Sequence, residues 1–172
     1  MTKWKRPPIT ALALLFITWA APALVAAQGS VTVLADAELS RVVPAGFYFQ
    51  GQSAATQMRN AVAARFGSSR YVIAGLVDTS GYAADVRGKY QGFLITDSPI
   101  RIGGFELGTG AYGFGFTNDG KFLVLDLSGK EIFSTRTAPD KELKRPRPLM
   151  MSKSGVGIRL YSGRNYVAIA AQ

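Results

Sequence analysis

Short apolar and aromatic runs recur about every ten residues through most of this chain, separated by glycine, proline and small polar residues. Runs of this length bounded by turn residues read as β-strands. The pattern predicts strands over residues 30–34, 47–50, 71–78, 90–96, 100–102, 111–117, 121–127, 131–136, 149–153, 156–161 and 166–170. Asn118-Asp119-Gly120, Ser128-Gly129 and Ser162-Gly163-Arg164-Asn165 supply residues that accept positive φ, so each predicts a hairpin. Successive hairpins with no helix between them give a mainly β fold, an antiparallel meander that closes into a small barrel or packs as a two-sheet sandwich.

One stretch has a different spacing. Ala54, Met58, Val62 and Phe66 recur every fourth residue, Ala61 lies beside them, and Gln57, Arg59 and Asn60 turn away. This predicts one amphipathic helix over residues 53–66, with Ser53 as its N-cap and Gly67 as its stop. Its stripe is expected to lie on the sheet or across a barrel end. Its polar face holds too few Lys and Arg for a membrane-surface helix.

The segment Ala111-Tyr112-Gly113-Phe114-Gly115-Phe116 puts three rings on one strand face and Ala111, Gly113 and Gly115 on the other. Glycine at alternate strand positions marks a bend, a close backbone approach or a surface left open for a flat ligand. With the rings inward, Tyr112, Phe114 and Phe116 build an aromatic core. With the rings outward they form a stacking platform for sugars or another planar partner, joined by Tyr82, Tyr90 and Phe93.

The first 27 residues carry a different signal. Lys3, Lys5 and Arg6 precede an apolar run from Ile9 to Trp19, and small residues follow up to Val25-Ala26-Ala27. This succession predicts a secretory signal peptide over residues 1–27, cleaved before Gln28. Pro7, Pro8 and Pro22 bracket an apolar run too short to cross about 30 Å of hydrocarbon comfortably, so no transmembrane span is expected after signal removal. Residues 28–172 are then a single all-β domain, secreted or periplasmic, and they contain all nineteen glycines.

Composition narrows the chemistry. The chain has no cysteine, so packing alone must hold the fold. It has no histidine, which excludes Ser-His-Asp and Cys-His catalysis and removes the commonest metal ligand. No metal motif or cofactor motif is present. The leader takes three of the twenty basic residues and no acid, leaving seventeen Lys and Arg against eleven Asp and Glu, net +6. For an exported domain this balance suggests affinity for anionic surfaces or polymers, beside the plainer reading of a soluble basic protein. The most polar stretch, residues 140–148, contains Lys141, Lys144, Arg145 and Arg147 between restrictive prolines, and with Arg159 and Arg164 it makes a candidate anion-binding patch. No nucleic-acid recognition motif accompanies these charges, and nucleic acid is not an expected partner.

Carboxylates are nearly all that remains for catalysis. Asp78, Asp85, Asp97 and Glu106 are the available glycosidase acids, with no spacing that singles out a pair. Leu76-Val77-Asp78-Thr79-Ser80-Gly81 resembles, over about six residues, the apolar-apolar-Asp-Thr-Gly element of retroviral-type aspartic proteases. That resemblance implies two aspartates sharing a proton, which here only a homodimer supplies, and Ser80 interrupts the element. Asp78 also reads as a turn residue at a strand end. The leading expectation is an exported, non-catalytic β-domain that binds an anionic or ring-bearing extracellular ligand, a glycan, or an envelope or protein partner. A carboxylate-based hydrolase and a homo-oligomeric surface-assembly protein are the alternatives, and the sequence sets no oligomeric state.

Overall fold

The computed structural model describes residues 1–2 and 30–172, so the signal peptide expected over residues 1–27 lies, apart from Met1 and Thr2, outside the described residues. In chain order the elements are β1 (Val31–Val33), α1 (Asp36–Val42), β2 (Gly46–Phe49), β3 (Gln52–Phe66), β4 (Arg70–Val77), α2 (Ala84–Arg87) and β5 (Gly92–Thr96). There follow β6 (Ile100–Ile102), β7 (Phe105–Leu107), β8 (Gly110–Phe116), β9 (Lys121–Leu125), β10 (Glu131–Arg136) and β11 (Ala138–Pro139). A final meander comprises β12 (Arg147–Ser154), β13 (Gly157–Gly163) and β14 (Asn165–Ala171).

Two antiparallel sheets result. The larger runs β1-β3-β4-β5-β8-β9-β10, with β2 also paired to β3, and the smaller runs β12-β13-β14-β6-β7, with β11 on β14. They stack as a sandwich-like fold, and among the described residues no barrel closes. The hairpins expected at residues 118–120, 128–129 and 162–165 join β8 to β9, β9 to β10 and β13 to β14.

The core has two storeys. Between the sheets, Val72, Ala74, Leu94, Phe114 and Val124 of the larger sheet meet Ile100, Ile102, Leu149, Ile158, Leu160 and Ile169 of the smaller. The opposite face of the larger sheet is buried too. Ala63, Ile73, Phe93 and Leu125 pack there under a cap made of Leu34, Val43, Phe47, Phe49, Tyr82 and Tyr90. Central strands buried on both faces explain the continuous apolar run Tyr71-Val72-Ile73-Ala74.

The helix expected over residues 53–66 is instead the fifteen-residue strand β3. A spacing of four fits one helical turn, but it is also twice the strand period, so Ala54, Met58, Val62 and Phe66 satisfy both patterns. Tertiary pairing decides between them. The second half of β3 is hydrogen-bonded to β1 on one side and β4 on the other, and Ala63 and Ala64 are fully buried. Between Thr56↔Val77 and Ala61↔Gly75, residues 57–60 of β3 oppose Leu76 alone. This bulge has an odd excess of residues and so reverses the alternation. Ala54 and Ala61 therefore face the same cap, while Val62 and Phe66 face the smaller sheet.

The two margins of the sandwich differ. On one, Phe105 of β7 stacks on Phe133 of β10, with centroids 4.9 Å apart. On the other, β12 lies against β3 and β1, and the bulge at 57–60 stands at that seam.

Candidate functional site

The aromatic stripe of β8 faces the inter-sheet core. Phe114 is fully buried and stacks on Phe122 at 5.6 Å, while Tyr112 and Phe116 pack half-buried against the same cluster. The Tyr112 hydroxyl donates to the Gly108 carbonyl at 3.0 Å. The bare face of the strand accommodates the cap: a Cβ on Gly113 would meet the Phe49 ring, and one on Gly115 would meet the Lys89 carbonyl. Close approach is therefore the reason for these glycines.

Tyr82 and Tyr90 belong to the cap as well, 5% and 1% exposed. Tyr90 stacks on Phe49 with centroids 3.8 Å apart, and the Tyr82 hydroxyl donates to the carbonyls of Phe49 and Gln52 at 3.2 and 3.3 Å. The Tyr90 hydroxyl finds no hydrogen-bond partner among the described residues. Burial pushes its ionisation well above the ordinary 10.0, and neighbouring Tyr82 adds to the shift. Phe114, Tyr82 and Tyr90 thus present no ring face to solvent.

The four predicted arginines do not form a single patch. Arg145 and Arg147 are exposed on the 140–148 segment. Arg164 sits at the root of that segment, its guanidinium donating to the Leu143 carbonyl and, at 3.4 Å, to that of Lys141. Arg159 lies over the Tyr166 ring at 4.5 Å and faces Asp140 at 3.8 Å. The Tyr161 hydroxyl, chiefly, holds that guanidinium more firmly protonated than usual, and it also donates to Asp140 at 3.0 Å.

Three of the four candidate acids have local work. Asp78 accepts from the Ser80 N–H at 3.0 Å, which holds its carboxyl below the usual range, as a turn carboxylate requires. Asp97 accepts from the Tyr71 N–H at 2.8 Å, and Glu106 pairs with Arg101 at 2.9 Å. Asp85 lines a cavity of about 140 Å³ beside Tyr90 and Lys89.

A concave site that the sequence does not single out lies elsewhere. It is a cleft of about 480 Å³ at the seam between β1, α1, the β3 bulge and β12. Leu39, Met58, Val62, Leu149, Met150 and Met151 contribute to its lining. Asp36, Arg59 and Arg147, all exposed, line it too, and none of the three forms an ion pair among the described residues. Its size falls within the range of about 300–1,000 Å³ usual for small-molecule sites. Methionine is unbranched and polarizable, so a methionine-lined wall adapts to flexible apolar guests. The sequence signal for this site was the set Met58, Met150 and Met151, which with Met1 are the only methionines of the chain.

Comparison of the chain with protein families, with curated proteins and with solved structures found no match in any of the three.

Proposed function

We propose that this protein is an exported β-domain that binds an amphiphile, an acyl chain with an anionic head, in the seam cleft. The observation that carries the reading is the coincidence, in one cavity of about 480 Å³, of an apolar, methionine-rich lining with the guanidinium groups of Arg59 and Arg147, which form no ion pair among the described residues. The apolar wall favours a flexible hydrocarbon at roughly 25 cal/mol per Å² buried. Guanidinium groups are planar donors matched to carboxylate or phosphate oxygens. Asp36, the one acid in the lining, leaves the cleft a single net positive charge and favours a monoanionic or zwitterionic head over a multiply charged one. The site performs recognition, with no reaction assigned to it.

Export rests on the basic, apolar and small-residue succession of residues 3–27, and the working protein then begins at or near Gln28. N-terminal sequencing of secreted or periplasmic material tests that part.

Calorimetric titration tests the binding. Dodecanoate should bind the wild type more tightly than dodecanol does. The double variant Arg59→Ala/Arg147→Ala should lose about tenfold in dodecanoate affinity, as expected for charge-assisted contacts, and leave dodecanol unaffected. Equal affinity of the wild type and the double variant for dodecanoate overturns the head-group assignment.

A further inference from the structure

Next to the cleft lies the most basic run among the described residues. Lys141, Lys144, Arg145 and Arg147 are exposed, and none forms an ion pair among the described residues. Nearby acids do not neutralise them. Asp140 is occupied by the Tyr161 hydroxyl and by Arg159, and its other oxygen accepts from the Glu142 N–H at 3.1 Å. Glu142 is the only acid left within the run.

The segment is also anchored. The Asp140 N–H donates to the Arg164 carbonyl at 2.8 Å, and the Arg164 guanidinium grips the Leu143 and Lys141 carbonyls from below. Pro146 and Pro148 restrict the backbone at the far end. Preorganised charges lose less entropy on docking than charges on a mobile tail. The run leads directly into the cleft, because Arg147 belongs to both.

We propose that residues 141–147 form a docking surface for an anionic lipid bilayer, placing the seam cleft against a source or destination of acyl chains. Docking itself stands on the charged segment. Only the link to acyl cargo rests on the function proposed above. A bilayer is favoured over a soluble polyanion because the segment ends in an apolar-lined cleft whose Met58 is 41% exposed, and a membrane offers anionic head groups and hydrocarbon together. Each basic residue held near an anionic lipid surface strengthens partitioning about fivefold. The attraction decays over a Debye length, about 10 Å at 0.1 M salt.

The test is co-sedimentation of the protein, purified from the cells that make it, with phosphatidylcholine vesicles with and without phosphatidylglycerol. The wild type should sediment with phosphatidylglycerol vesicles at low salt, release as salt rises, and ignore pure phosphatidylcholine. Lys144→Glu/Arg145→Glu should weaken that binding about tenfold or more. The same variant should keep its melting temperature and its dodecanoate affinity in solution, since neither residue lines the cleft. Absence of wild-type binding, unchanged binding in the variant, or binding to heparin without binding to vesicles each overturns the proposal. Vesicle binding without dodecanoate binding upholds docking and removes the acyl cargo.

Discussion

Phe49 fills the space that a side chain on Gly113 would need: a Cβ built there would lie 2.5 Å from Phe49 Cε2. The contact joins the β2 hairpin to the centre of the larger sheet and gives that sheet its second buried face. Two residues on along the same strand, Gly115 stands against the Lys89 carbonyl, where a Cβ would come within 2.0 Å.

Gly113→Ala and Gly115→Ala should therefore each destabilise the fold by about 1–3 kcal/mol through overpacking. Gly115→Ala should cost more, because a backbone carbonyl yields less readily than a ring. Gly108→Ala, whose Cβ would find only the Tyr112 hydroxyl at 4.0 Å, should change stability by less than about 0.5 kcal/mol. Urea denaturation of the three variants checks the order.

Met58 and Ala63 separate the strand from the helix that the spacing of β3 imitates. On a helix stripe Met58 would be buried, but it stands on the bulge at 41% exposure, whereas Ala63 is fully buried. Met58→Asp should thus cost under about 1 kcal/mol and Ala63→Asp several kcal/mol, since an unpaired charge would enter the core. Thermal melts of the two variants decide the matter.

Local signals made the β class legible. Asn118-Asp119-Gly120 and Ser162-Gly163-Arg164-Asn165 dictate backbone angles by themselves, and both hairpins stand where those residues occur. The sequence of β3 is ambiguous because its apolar spacing of four fits two periods, and only pairing with β1 and β4 resolves them. The short elements β7, β11 and α1 carry too few residues to show a period. Strand alternation places the rings of Tyr112, Phe114 and Phe116 on one face, but whether that face is wet depends on where the smaller sheet lies. The cleft is not legible in the sequence for a similar reason. Its walls come from residues 33–40, 58–62 and 147–151, which adjoin only through the pairing of β1 with β3 and the stacking of β12 against them.

Tyr90 carries a buried hydroxyl without a partner, and removing it should help. Tyr90→Phe should stabilise the protein at neutral pH by up to about 1 kcal/mol, because an unsatisfied buried donor is lost with little change of shape. The raised ionisation of Tyr90 also sets a pH dependence. Below pH 10 both folded and unfolded states keep the proton, so its contribution is fully present. As pH rises beyond 10 the unfolded chain ionises first, and stability falls until the folded form ionises too. The wild type should lose more stability than Tyr90→Phe between pH 9 and pH 11, as chemical denaturation at the two values would show.

The cleft is tested most directly by the methionine methyl groups. Met58, Met150 and Met151 all line it, and Met1 is the only other methionine in the chain. In protein carrying ¹³C-methyl methionine, titration with dodecanoate should shift these three resonances together and saturably, with one dissociation constant that matches calorimetry. Methionine resonances that stay in place while calorimetry reports binding, or a titration that never saturates, would contradict an amphiphile site at the seam.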